Sequence, residues 1–237
     1  MKLYIVIPAF NEEKILEPSV VRTVAFCRTQ LDVDWKVIIV DNGSTDNTAA
    51  IGKSLSSRYS PEVSYLHTNQ SGKGGAIKLG WQALDGDIYI FMDADLATDI
   101  RAIPVVVSEM KQGYDVVIGS RTNRASVVQR SMVRKFFSWG YKIVVRLLLA
   151  TTISDAPCGF KAINHTVRSA VLPQVKDNHW FFDSELVILA EKMGFKIKEI
   201  PVVWSDPRTR ADRSRVKTLQ LSFAYFKAVL ALRHRLK

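Results

Sequence analysis

Residues 86–98 read GDIYIFMDADLAT, and the reading of this stretch decides the fold. Residues 88–92 (IYIFM) are apolar without a break, lacking the alternation of a half-exposed strand. Such a run fits a strand of a parallel sheet covered on both faces. Asp93 and Asp95 follow at once. Side chains two apart on an extended chain point the same way, so both carboxylates converge just past the strand's C-terminal end. Open α/β sheets bind ligands at that edge. Two close carboxylates repel unless a cation lies between them. A divalent cation holding a diphosphate fits, because Mg²⁺ is bound through one or two carboxylates plus substrate phosphates. A polar turn after a buried strand is the plainer reading of an isolated Asp-x-Asp.

Working outward, the pattern repeats. Residues 3–8 (LYIVIP) read as a buried strand, running into Ala9-Phe10-Asn11-Glu12-Glu13 and a helix to about residue 30. Residues 36–40 (KVIIV) read as a second strand, ending at Asp41-Asn42-Gly43-Ser44-Thr45-Asp46. Ser44 or Thr45 is expected to cap a helix that reaches residue 58. Residues 63–67 form a third strand, followed by the glycine-rich 70–76 (QSGKGGA) and a helix to about residue 84. Residues 100–112 predict a helix, and 115–119 a strand ending at Ser120-Arg121. Strands alternating with helices predict a doubly wound, mostly parallel α/β sheet. Right-handed crossovers gather residues 8–12, Asp41, Gly72, Lys73, Asp93, Asp95, Ser120 and Arg121 on one rim.

The chain of 237 residues reads as a single domain, 1–237, without internal repeats or a linker. Its net charge of +10 is unevenly placed: residues 116–154 hold seven bases and no acid, and 207–237 nine bases and one acid. This asymmetry suggests an anionic partner, whether nucleic acid, phosphorylated substrate or anionic bilayer, against plain solvated surface. No stretch is long and apolar enough to span a membrane, and the N-terminal residues do not resemble a signal peptide. Cys27 and Cys158 have neither paired nor metal-type spacing, which fits a reducing cytosol.

The second half changes character. Residues 132–149 interleave Phe136, Phe137, Trp139 and several aliphatics with Arg134, Lys135, Lys142 and Arg146. Residues 217–237 place Leu219, Phe223, Phe226 and Leu230 at helical spacing before a basic tail. Both suit helices lying in a bilayer interface, or core helices with snorkelling bases. Between them, 155–161 (DAPCGFK) reads as a turn, 180–188 as a turn into a buried helix, and 196–204 as an alternating strand. The four histidines are scattered and carry no assigned chemistry. Trp81 and Trp204 read as packing, and Trp180 as packing or a face for sugar or lipid.

Seven stretches in order, IVIPAFNEE (5–13), VIIVDNGSTDNT (37–48), SGKGGAIKLG (71–80), FMDADLAT (91–98), VVIGSR (116–121), DAPCGFK (155–161) and FFDSEL (181–186), carry a family likeness. The chain resembles the family 2 glycosyltransferases of the GT-A fold, and within them the dolichyl-phosphate mannose and glucose synthases. The resemblance implies a nucleotide-sugar-binding half, 1–121, and an acceptor and membrane-interface half, 122–237. Pro8, Ala9, Glu12 and Asp41 would hold the nucleotide base and ribose. Lys73, in a glycine-rich turn at a helix start, would face donor phosphate together with backbone N–H groups. Asp93 and Asp95 would hold Mg²⁺ or Mn²⁺. Arg121, Arg130 or Arg134 would receive the acceptor phosphate, and Ser214 and Arg215 stand where the family has a Ser-Lys pair on a closing loop.

The implied reaction moves a hexose from UDP-glucose or GDP-mannose to a polyprenyl or dolichyl phosphate with inversion, at the cytoplasmic face of a membrane as a peripheral protein, alone or with an anchoring partner subunit. A phosphate acceptor needs positioning and charge screening more than a base, its second pKa being near 6. If the acceptor is a hydroxyl, Asp155 and Asp183 are the candidate bases, their plainer readings being a turn cap and a helix N-cap. Asn42 replaces a second Asp of many members, and Ala97 a Gln that some mannose synthases place near the metal. Ala97-Thr98 and Phe182-Asp183 look more like the glucose branch. A basic nucleic-acid-binding module would explain the charge but not acids at successive strand ends.

Overall fold

The computed structural model describes residues 1–129, 132–205 and 218–236, with the side chains of 129, 132–139, 141 and 218–223 outside the description. The expected alternation is present as β1 (Lys2–Ala9), α1 (Leu16–Gln30), β2 (Asp34–Asp41), α2 (Thr48–Arg58), β3 (Val63–His67), α3 (Lys73–Gln82), β4 (Ile88–Met92), α4 (Ala102–Lys111) and β5 (Val116–Ser120). The second half adds β6 (Val127–Gln129), α5 (Met132–Leu149), β7 (Phe160–Asn164), α6 (His165–Ala170), α7 (Phe182–Lys192), β8 (Ile197–Pro201), β9 (Val203–Ser205) and α8 (Thr218–Arg235).

Seven strands form one sheet in the order β3-β2-β1-β4-β7-β5-β8. All neighbours run parallel except β7, which is antiparallel to both β4 and β5. Every residue of β4 and β5 is buried, as their unbroken apolar runs require when helices cover both faces. Trp81, Phe91 and Phe182 pack with ring centroids 5.8–6.5 Å apart and tie α3, β4 and α7 together. Trp81 and Trp204 are thus packed, as expected.

The sheet brings strand ends together. Ala9 pairs with Asp41 across β1 and β2. Met92 pairs with Phe160 across β4 and β7, so Asp93 meets the residue before β7. Ser120 pairs with Pro201.

Three local expectations are corrected. Neither Ser44 nor Thr45 caps α2, which begins at Thr48. Ser44 Oγ instead accepts from Asn11 N–H, and Thr45 N–H donates to Asn11 Oδ1, because Asn11 sits in the left-handed region (φ 55°), a conformation Asn tolerates. The turn at 155–161 runs directly into β7, a strand outside the expectation. The single strand expected at 196–204 divides into β8 and β9, and β9 pairs with β6.

α5 and α8 are helices as expected and lie against one another. Val145, Leu149, Val229 and Leu232 face inward, while Ile143, Leu147, Phe226 and Leu230 are exposed. α8 is held by Tyr225 Oη donating to Trp180 O at 2.7 Å, and by Arg235 donating to Glu185 and to Gln174 O. No described helix is long and apolar enough to cross a membrane.

Candidate active site on the carboxyl rim of the sheet

Asp93 and Asp95 leave β4 in a tight turn. Leu96 N–H donates to Asp93 O, and Ala97 N–H to Asp95 Oδ1 at 3.1 Å. Leu96 holds φ 49°, a left-handed backbone that costs an L-residue about 1–2 kcal/mol. β9 holds the turn in place, with Ser205 N–H donating to Ala97 O and Asp99 N–H to Val203 O, both at 2.9 Å.

The Asp93 carboxylate packs directly against a glycine. A Cβ on Gly159 would lie 1.9 Å from Asp93 Oδ2. Only a residue without a side chain lets the 155–159 loop pass so close to this carboxylate. The donor set of Asp93 and Asp95, hard carboxylate oxygens with the Asp93 side chain partly exposed at the rim, fits Mg²⁺ or Mn²⁺. No cluster of three or more His, Cys, Asp or Glu that could hold a metal occurs among the described residues. Ala97 is buried.

The same loop supplies Asp155, whose side chain clamps Arg121. Arg121 donates its backbone N–H and Nε to Asp155 Oδ2, each at 2.8 Å, and Nη2 to Oδ1 at 2.7 Å. Both side chains are nearly buried. Burial alone would raise the Asp155 carboxyl, but the Arg121 hydrogen bonds and charge hold it below the usual carboxylate range. Asp155 is therefore Arg121's clamp rather than a turn cap. Beneath them Lys161, fully buried in β7, donates to Cys158 O and lies 5.4 Å from the Phe91 ring. Burial pulls its ammonium below the usual lysine value.

Lys73 begins α3 and reaches two carboxylates. Its Nζ is 2.8 Å from Asp93 Oδ1 and 3.3 Å from Asp183 Oδ2. Burial would lower the lysine, but Asp183 and Asp93 together raise it. Asp183 lies one residue inside α7, which begins at Phe182, so it is not the helix N-cap expected. The glycine-rich turn also departs from the expected phosphate cradle. Gly74 N–H and Gly75 N–H donate to His179 O and Asn178 O. A Cβ on Gly72 would lie 2.2 Å from Asn178 O, and one on Gly74 2.5 Å from Phe182 Cβ. These glycines admit the backbone before α7, leaving the Lys73 ammonium as the cation directed at the rim.

On the β1–β2 side, Ala9 and Asp41 are fully buried and Pro8 and Glu12 partly so. Asp41 Oδ1 accepts from Ser44 N–H at 3.0 Å, while Oδ2 lies 2.9 Å from both Tyr65 Oη and His67 Nδ1. Against the raising effect of burial, these partners hold the carboxyl low. Asn69 and Asp41 raise the His67 imidazole. Glu12 N–H donates to Thr48 Oγ1, and Asn47 N–H to Glu13 Oε2. Asn42 Oδ1 is buried without a partner among the described residues.

The structure thus brings Lys73, Asp93, Asp183 and Gly159 into one cluster and pairs Arg121 with Asp155. Arg130, Ser214 and Arg215, and the side chain of Arg134, lie outside the described residues. His67, Gly159 and Lys161 were not singled out by sequence reasoning; Gly159 and Lys161 lay inside the quoted motif DAPCGFK, which was the available signal.

Comparisons with known proteins bear on the family and the fold. The chain is 34% identical over 206 residues to glycosyltransferase AglD of Haloferax volcanii, covering 86% of this chain and 33% of AglD. It is 30% identical over 246 residues to the dolichyl-phosphate β-glucosyltransferase of Dictyostelium discoideum, covering 98% of this chain and 74% of that protein. The Saccharomyces cerevisiae dolichyl-phosphate β-glucosyltransferase is 29% identical over 223 residues, 86% of this chain and 67% of that protein. The chain therefore spans about a third of AglD and about two thirds of the glucosyltransferases. Glucosyl-3-phosphoglycerate synthase of Mycobacterium tuberculosis, solved with Mn²⁺, UDP-glucose and phosphoglyceric acid, superposes with a TM-score of 0.67 at 20% identity, over 99% of this chain and 79% of that one. Its UDP complex gives 0.68 at 20% identity, with the same coverage. These likenesses show the α/β GT-A fold. The Glycosyl transferase family 2 model matches residues 4–172, most of the chain, and the protein belongs to that family.

Proposed function

We propose that this family 2 glycosyltransferase moves glucose from UDP-glucose to a polyprenyl phosphate of the dolichyl type, inverting the anomeric carbon. Dolichyl-phosphate β-glucosyltransferases among its relatives support this donor over GDP-mannose, and Ala97-Thr98 points the same way. The observation that carries the acceptor class is the state of the two candidate bases. Asp155 is clamped by Arg121 and held at low pKa, and Asp183 is paired with Lys73. Asp155, held in its ionised form by Arg121, is a poor proton acceptor at neutral pH, and the Asp183 carboxylate is occupied by the Lys73 ammonium. A phosphate monoester, mostly dianionic there, requires none.

Asp93 and Asp95 hold Mg²⁺ or Mn²⁺, which when bound supplies charge neutralisation at the donor diphosphate. Lys73 adds a cation to the same phosphates. Pro8, Ala9, Glu12 and the Asp41 network shape the nucleotide end of the rim. Asp155 orients Arg121, and Arg121, with Arg130, Arg134, Ser214 and Arg215, screens the acceptor phosphate so that it approaches the sugar opposite the leaving group. The exposed apolar residues of α5 and α8, flanked by Arg146 and Arg233, rest on the membrane surface that carries the lipid. This surface is the cytoplasmic face of the membrane, and a partner subunit is an alternative occupant.

The test is transfer by purified protein with Mn²⁺ and a short polyprenyl phosphate, comparing UDP-glucose with GDP-mannose. A glucosylated lipid phosphate from UDP-glucose is expected. Product from GDP-mannose alone would overturn the donor assignment. A glycosyltransferase acting on a hydroxyl is the second reading, and it requires one of the two paired carboxylates to be released.

A further inference from the structure

The ionic cluster at Lys73 has a consequence for how metal and donor arrive. Its ammonium lies 2.8 Å from Asp93 Oδ1 and 3.3 Å from Asp183 Oδ2. The lysine and Asp183 side chains are nearly buried, whereas that of Asp93 is 37% exposed. The faces of Phe91 and Trp180 lie 5.0 and 5.8 Å from the same nitrogen, and such rings attract a cation. Asp183 Oδ1 is buried and has no hydrogen-bond partner among the described residues. Lys73 therefore has two anchors of different kinds, an open carboxylate at the rim and a closed one behind it.

An ammonium in contact with Asp93 neutralises the charge that a divalent cation needs. We infer that Lys73 is an exchangeable counter-ion for Asp93, which couples metal binding to donor binding. This rests on reading Asp93 and Asp95 as the metal carboxylates. Without a diphosphate, a metal ion must displace Lys73 from Asp93 and leave the ammonium with Asp183 alone. With a diphosphate, the displaced ammonium gains a new anionic partner while Asp183 retains the other side. Metal and nucleotide then bind cooperatively, each raising the other's affinity by the same factor. Asp183 acts here as a positioning residue: it keeps Lys73 beside the rim after Asp93 is taken.

The discriminating variant is Lys73→Met combined with Asp183→Asn. It removes one cation and one anion, so the cluster keeps its net charge and no buried ion is left unpaired. A simple charge-balance argument predicts unchanged metal affinity. The exchange predicts that Mn²⁺ alone binds about tenfold more tightly than to wild type, and that the enhancement of Mn²⁺ affinity by UDP falls by a similar factor. Lys73→Arg, which keeps a cation against Asp93, should leave Mn²⁺ alone as weak as in wild type. Mn²⁺ binding is read by titration calorimetry or electron paramagnetic resonance with and without UDP, on protein whose circular dichroism matches wild type. If wild type binds Mn²⁺ with UDP but the double variant shows no tightening without it, the exchange is overturned while the metal assignment stands. If wild type binds no Mn²⁺ even with UDP, the metal assignment fails and the exchange with it. Should the double variant misfold, tight Mn²⁺ binding by wild type without UDP, unaffected by adding it, overturns the exchange.

Discussion

The two halves of the molecule are built differently and contribute differently to one rim. Residues 1–121 are strands joined through helices, β1 to β4 pairing parallel with one another and ending in polar turns. They present Asp41, Lys73, Asp93 and Asp95. The second half is threaded into that frame, β7 antiparallel between β4 and β5. It brings a partner to each of three rim residues: Gly159 to Asp93, Asp183 to Lys73 and Asp155 to Arg121. The comparison teaches that the first half presents charged groups and the second sets their state. A partly exposed carboxylate that packs against a glycine is suited to a metal, whereas one clamped by arginine is poorly suited to accept a proton.

Breaking the presenting half should have the largest effect. Asp95→Ala removes a metal carboxylate, and transfer should fall about a thousandfold or more, matching the several kcal/mol that a catalytic metal contributes. Near-normal turnover by folded protein would contradict the metal role. Gly159→Ala tests the other half directly, because the new methyl must displace Asp93. A misplacement on this scale costs about a hundredfold in kcat/KM, with the circular dichroism spectrum expected to stay native.

Arg121→Ala should act on stability as well as on transfer. It leaves Asp155 buried and unpaired, at a cost of about 3–5 kcal/mol, measurable by denaturant unfolding. Asp155→Asn sharpens the point through pH. The folded carboxyl is held below its unfolded value of about 3.9. The stability it contributes is therefore present above that pH and lost as pH falls through the lower folded value. The gap in melting temperature between wild type and Asp155→Asn should be full at pH 7 and narrow toward pH 3; a constant gap would show that the contribution is not electrostatic. The smallest effect is expected outside the rim. Phe226→Asp with Leu230→Asp should weaken cosedimentation with anionic vesicles and leave turnover of a short, soluble acceptor within about twofold, as for exposed substitutions.

Most of the first half was legible because its strands are unbroken apolar runs. β3 and β4 fall at the residues expected, and the other strands within two. The Asp-x-Asp turn was legible for the same reason, two carboxylates immediately after a buried run. β7 was not, because Lys161 and Asn164 leave only three apolar residues in its five, FKAIN. A buried lysine contradicts the pattern unless its partners, Cys158 O and the Phe91 ring, are known. The glycines at 72 and 74 resemble a phosphate turn because sequence shows their flexibility and not the Asn178 backbone and Phe182 side chain that fill the space. Asp183 looked like a cap because its ion pair with Lys73 spans 110 residues. His67 carried no signal, since its partner Asp41 comes from the neighbouring strand.

The most direct measurement is glucose transfer from UDP-glucose to a short polyprenyl phosphate and to the polyprenol of the same length, under identical conditions. The paired state of Asp155 and Asp183 predicts product with the phosphate and none with the alcohol. Equal or better transfer to the alcohol would show that one of these carboxylates serves as a base, and would contradict the assignment of a phosphate acceptor.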